Sequence, residues 1–153
     1  MRAKSGFTLV EILIVVVILG ILAAIVIPQF TNASTEAKQS SLQSDLQMLR
    51  SQIELYKIQH NDELPGAGVA TFEQCMIGWT TVAGAVAAAA GANIYGPYMQ
   101  KIPTNGFNNN DAIGLDGTPG TGLNGWMYNT TTGVIHPDDT LICGDGVTAH
   151  SAL

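Results

Sequence analysis

Apolar and polar positions divide this chain into three stretches. From Phe7 to Ile27, FTLVEILIVVVILGILAAIVI, 21 consecutive residues are apolar or weakly polar and only Glu11 is charged. A helix over this run is about 31 Å long, enough to cross the hydrocarbon core of a bilayer. Beyond it the continuous run becomes a spaced one: Phe30, Ala33, Ala37 and Ser41, then Leu42, Leu46, Leu49, Ile53, Tyr56 and His60, in steps of three and four. Only a helix sets that period on one face. Pro28 lies at the junction, where it removes the donor to the Ala24 carbonyl and crowds that turn, so a kink or local break is predicted there. Gly20 weakens the same stretch. Residues 7–61 then make one nearly continuous helix of about 82 Å. Residues 62–153 make a body with a radius of gyration of about 12 Å. A rod that long outreaches a body that small, so its first half must be covered by lipid or by copies of itself.

The third stretch is a head of short elements. Residues 61–68 (NDELPGAG) end the long helix with turn formers and Pro65. Thr71 reads as an N-cap with Gln74 at the third helical position, a capping box. Phe72, Cys75, Met76, Trp79, Val82, Ala83, Val86 and Ala90 continue as a helical stripe, predicting a helix over about 72–90 that stops at Gly91. Residues 105–125 hold six Gly and five Asn and read as a long loop with little to bury. Trp126-Met127-Tyr128 and Val134-Ile135-His136, joined by 129–133, read as a hairpin that packs on the Leu/Ile face of the long helix. The tail from Pro137 is polar, acidic and expected to be irregular.

The first residues add orientation. MRAKSG carries Arg2 and Lys4 and no acid, so it should stay on the cytoplasmic side while the rest of the chain faces outward. Ala23-Ala24 imitates a signal-peptidase site, but the apolar run is longer than the 7 to 15 residues of a secretory signal. Glu11 is the anomaly, since a carboxylate in an apolar layer costs a few kcal/mol unless something compensates it. Its simplest use is to complement the positive end of its own helix; the alternative is a partner in another chain.

Ser5-Gly6-Phe7-Thr8-Leu9-Val10-Glu11, followed by the apolar run and closed by Pro28, resembles the class III leader of type IV pilins and type II secretion pseudopilins. The resemblance implies an α+β pilin-like fold: a long N-terminal helix, transmembrane in its first half and amphipathic in its second. That helix would pack on a small globular head with a second helix and a short antiparallel sheet. It divides the chain into a leader (1–6), a helix (7–61, with 7–27 as membrane span and filament core) and a head (62–153). It also implies cleavage between Gly6 and Phe7 by a prepilin peptidase, methylation of the Phe7 amine, and pairing of Glu11 with the Phe7 amine of a neighbouring subunit. That pairing has independent physical sense, because a lone amine and a lone carboxylate are each costly in an apolar layer. Gly20 and Pro28 become a candidate hinge pair in the helix. Gly96-Pro97-Tyr98 with Ile102-Pro103 is similar to the segment before the small sheet of major pseudopilins. The implied partners are copies of the chain, other pilin-like subunits, the peptidase and an inner-membrane assembly platform. The implied location is a single pass of the bacterial inner membrane with the C-terminal domain in the periplasm.

Charge and chemistry narrow the reading further. Net charge is −6, and removal of Arg2 and Lys4 with the leader leaves four basic against twelve acidic side chains, −8. An acidic exterior disfavours nucleic-acid binding, which needs phosphate-neutralising Lys and Arg. Cys75 and Cys143 are the only cysteines, and in oxidising surroundings they are expected to form a disulfide closing a loop of about 69 residues, two buried free thiols being the alternative. No phosphate-binding loop, nucleophile elbow or metal-ligand spacing is present, and His60, His136 and His150 are scattered, so no catalytic residues and no enzyme activity are expected. No cofactor is expected either. Calcium is left open, because Asp111, Asp116, Asp138, Asp139 and Asp145 lie in loops where hard-cation ligands could gather and major pseudopilins hold calcium in a C-terminal loop; solvated acids are the preferred reading. Asn32-Ala33-Ser34 and Asn129-Thr130-Thr131 match glycosylation sequons, a weak signal in a chain this rich in Asn, Ser and Thr. Two functions compete: a structural filament subunit of a pseudopilus or pilus, and a minor pilin or membrane-tethered periplasmic module that binds a ligand through 62–153. Glu11 favours polymerisation, since a simple tether gains nothing from an intramembrane acid.

Overall fold

In the computed structural model, which describes residues 6–144 and 146–153, the first element is a helix α1 over Leu9–Gln59. The helix runs through Pro28 as one element, so the break expected there does not occur. Past the proline, Thr31 Oγ1 donates to the Ile27 carbonyl at 3.1 Å. Residues 1–37 and 38–153 form two compact units. In the first, every described residue from Gly6 to Ala37 is exposed.

In the second unit the end of α1 is the central element. The second part of its predicted stripe is buried: Leu42, Leu46, Leu49, Ile53, Tyr56 and His60 are all at most 3% exposed, whereas Phe30, Ala33, Ala37 and Ser41, expected on the same face, are exposed. Against it pack Phe72, Cys75, Met76, Met99, Ile102, Trp126, Tyr128 and Ile135. α2 covers Phe72–Ile77 and begins with the expected capping box, Thr71 Oγ1 accepting from the Gln74 amide and Gln74 Oε1 from the Thr71 amide.

The helix predicted to reach residue 90 stops at Ile77. Gly78 is extended, with its N–H on the Gln74 carbonyl, and a Cβ there would lie 2.6 Å from that oxygen. Trp79–Thr81 then forms β1, paired antiparallel with β2 (Val86–Ala87) and β3 (Ile94–Tyr95). Thr80 decides the matter. It is fully buried, and its hydroxyl meets His60 Nε2 at 2.9 Å while His60 Nδ1 meets the Tyr56 carbonyl at 2.8 Å. A β-branched residue supplying a buried hydrogen bond from an extended segment outweighs the weak helical stripe around it. The Ala-rich stretch that continued the stripe is mostly exposed.

A second sheet closes the core. The expected hairpin forms between β5 (Trp126–Tyr128) and β6 (Ile135–Pro137), with Trp126 opposite Pro137 and Tyr128 opposite Ile135. The loop 105–125 is not featureless: it contributes β4 (Ile113–Leu115), parallel to β5, so this sheet is mixed. Its asparagines build the approach. Asn105, Asn108 and Asn110 each accept with their side-chain oxygen from the amide two residues on, a series of Asx turns. Gly125 lets the segments leading into β4 and β5 meet, since a Cβ there would run into the Asn110 carbonyl oxygen. The Gly96–Pro103 segment straps the head together: Tyr98 Oη donates to Gln59 Oε1 at 2.6 Å, and the Pro103 carbonyl accepts from Trp126 Nε1 at 2.8 Å. Arg50 reaches the Ile135 and Leu153 carbonyls at 3.1 and 2.6 Å.

The expected disulfide is not formed. Cys75 is buried under Tyr56, whose hydroxyl donates to its sulfur at 3.4 Å. Cys143, also buried, precedes Gly144, whose amide donates to Gln39 Oε1 at 2.9 Å. Gln39 and Tyr56 are about 26 Å apart along α1, whereas a disulfide needs Cα atoms within about 7 Å. Alkylation of the denatured, unreduced protein should therefore label both cysteines by intact mass. Ile53→Ala, which empties the centre of the buried stripe, should lower unfolding free energy by about 2 to 5 kcal/mol in denaturant titration.

Candidate functional site

The N-terminal segment starts with Gly6, Phe7 and Thr8 outside the helix. Thr8 is the N-cap of α1 and Glu11 its third helical residue. The Glu11 amide donates to Thr8 Oγ1 at 3.3 Å, while Glu11 Oε2 accepts from the Thr8 amide at 2.8 Å and from Thr8 Oγ1 at 2.7 Å. This is a capping box, which answers two of the helix's orphan donors reciprocally and places negative charge at the positive end of the helix. The T-x-x-E spacing carried that signal in the sequence, and it was missed. The second carboxylate oxygen, Oε1, makes no hydrogen bond among the described residues. Phe7 is 81% exposed and borders an apolar groove with Leu9, Ile12, Leu13 and Val16.

Other predicted positions are distributed along the same helix. A Cβ added at Gly6 or Gly20 would meet nothing within 4 Å, so neither glycine is required by packing within the chain. Arg2, Lys4 and Ser5 lie outside the described residues. α1 is the one described helix long and apolar enough to cross a membrane.

Of the acidic loop residues of the head, Asp116, Asp138 and Asp139 are engaged by protein donors. Among the described residues no three His, Cys, Asp or Glu side chains converge. Asp138 and Asp139, expected to be solvated, are 0% and 3% exposed. Asp138 accepts from the amides of Thr121 and Asn124 and from both their side chains, and Asp139 from Leu141, Asn105 and His150. Asp116, which is exposed, accepts from the Thr130 amide and hydroxyl, and Asp145 lies outside the described residues. Calcium takes six to eight oxygen ligands; the lone pairs of Asp138 already face N–H and O–H donors, and Asp139 accepts from three more. Asn129, the candidate sequon residue, spends its side-chain oxygen on the Thr131 and Thr132 amides in the hairpin turn.

Residues 1–27 match a family model described as the prokaryotic N-terminal methylation motif. A type II secretion system core protein G of Klebsiella pneumoniae is 34% identical over 105 residues, 67% of this chain and 69% of that protein. The chain belongs to the type IV pilin and type II secretion pseudopilin family. Within it, the core protein G of Pseudomonas aeruginosa is 46% identical over 57 residues, 37% of this chain and 40% of its own length. A type IV major fimbrial protein FimA of Dichelobacter nodosus is 39% identical over 88 residues, 58% of this chain and 50% of its own length. The matched region thus spans only half or less of these two relatives. No solved structure matches the chain.

The pilin head also carries a pH-sensitive spot that sequence reading did not find. His136, on β6, is half-buried and its Nδ1 is buried with no hydrogen-bond partner among the described residues. Burial, reinforced by the Arg50 guanidinium, holds its pKa below the ordinary histidine value. The folded state therefore resists a proton that the unfolded chain accepts at pH about 6.5, so stability falls as pH drops through that value and levels off below the folded pKa. Chemical denaturation between pH 7 and 5 should show this decline, and His136→Gln should flatten it.

Proposed function

We propose that this chain is a structural subunit of a type IV filament-like assembly, the pseudopilus of a type II secretion system or a type IV pilus. It is a building block and not an enzyme. The observation that carries the reading is the exposure of every described residue from Gly6 to Ala37, a surface whose apolar run has no cover within its own unit. Lipid covers it before assembly, and sister helices cover it afterwards. Arg2 and Lys4 keep the leader cytoplasmic and put the head in the periplasm. A prepilin peptidase cuts between Gly6 and Phe7, the new amine is methylated, and an inner-membrane platform draws subunits out of the bilayer. Gly20 and Pro28 serve as the pair of weak points where the helix loosens in the polymer.

Glu11 is the assembly residue in this scheme. Its Oε2 stays on Thr8 and holds the helix start, while Oε1 faces the Phe7 amine of a neighbouring subunit. Pairing the two charges removes most of the penalty each carries in an apolar layer. The names of the relatives, "core protein G" and "major fimbrial protein", favour a main building block over a ligand-binding minor pilin.

Mass spectrometry of the native protein should give a mature chain beginning at methylated Phe7. Glu11→Ala should be cleaved normally but enter sheared surface filaments at a level reduced by about tenfold or more, the scale of losing roughly 1.4 kcal/mol per joint. Filaments of normal abundance from that variant would sink the pairing.

A further inference from the structure

We infer that the C-terminal part of this pilin head is held by two internal carboxylate clasps, at Asp138 and Asp139, and folds without a divalent cation. The inference concerns the head alone and does not rest on the filament reading. The two acids follow β6 directly and are buried side by side.

Asp138 gathers the 119–124 loop. Its Oδ1 accepts from the Thr121 amide at 2.7 Å and the Thr121 hydroxyl at 3.0 Å. Its Oδ2 accepts from that hydroxyl at 2.8 Å, the Asn124 amide at 3.0 Å and Asn124 Nδ2 at 3.2 Å. Burial alone would raise its pKa, but the bonds from Thr121 and Asn124 together outweigh this and hold the carboxyl below its ordinary value. Asp139 ties segments far apart in sequence. Its Oδ1 accepts from the Leu141 amide at 3.1 Å and meets His150 Nδ1 at 2.7 Å, and its Oδ2 accepts from Asn105 Nδ2 at 2.8 Å. Asn105 Nδ2 also donates to the Gly125 carbonyl at 3.1 Å, and the His150 ring lies 4.4 Å from that of Phe107.

A carboxylate offers about four lone-pair directions, and those of Asp138 are all engaged by donors. A cation entering here would face the positive ends of the Thr121, Asn124 and Leu141 amides, whose positions the loop backbone determines. Turning them away would break the bonds that satisfy two buried carboxylates, a loss comparable to the bonds themselves. Loop cross-linking, the structural work that a bound calcium performs elsewhere, falls here to Thr121, Asn124, Asn105 and His150.

The test is thermal unfolding of the full chain in detergent micelles, followed by circular dichroism, in excess EDTA and in excess calcium. The two midpoints should coincide. Thr121→Val, which removes the bridging hydroxyl, and His150→Ala should each lower the midpoint by about 2 to 4 °C or more, equally in both conditions. A saturable rise in the wild-type midpoint with added calcium overturns the inference, and so does unchanged melting in both variants. Thr121 is on the surface, so Thr121→Val keeps the test decisive should His150→Ala fail to fold.

Discussion

Apolar helix surface must be covered by something, and in this chain the cover changes identity part-way along one helix. Burying a Leu, Ile or Val side chain is worth about 1.5 to 3 kcal/mol. Between Leu42 and Tyr56 the head supplies that burial, and the stripe there is almost inaccessible to water. Between Phe7 and Ile27 no described residue of the same unit supplies it. The first case makes a core and the second creates a demand on the surroundings. That difference is why the amphipathic segment folds a domain, whereas the uniformly apolar segment needs lipid or other helices.

Glu11 belongs to both regimes. Its capping bonds to Thr8 start the helix cleanly, which matters where few other polar groups are near to answer the first amides. The same bonds occupy one oxygen and leave the other available. A carboxylate that serves the start of its own helix is less costly in an apolar layer than one left without donors.

In the head, polar side chains replace regular structure as the organising force. The strands are two or three residues long, so ladder hydrogen bonds alone hold little. Asn105, Asn108 and Asn110 shape the path into β4, Thr80 and His60 pin the first sheet to α1, and Asp138 and Asp139 gather the loops beside the second. These are bonds between residues distant in sequence, and each buried member depends on its partner being in place.

Periodicity and local spacing were enough to read much of this protein. The 21-residue apolar run, the three-and-four spacing from Leu42 to His60, the Thr71/Gln74 cap and the Trp126–His136 hairpin are each signals contained within a few turns or a few residues, where propensity and amphipathicity act directly. The Thr8/Glu11 cap was equally local and legible. Other features were decided only when distant segments met. The short α2 ends where Thr80 is needed by His60, β4 exists because β5 offers it an edge, and the cysteines stay apart because one packs near Tyr56 and the other near Gln39. Whether an aspartate is solvated or clasped depends on which loops fold over it, and that is a property of tertiary contacts that the residue's neighbours in sequence do not encode.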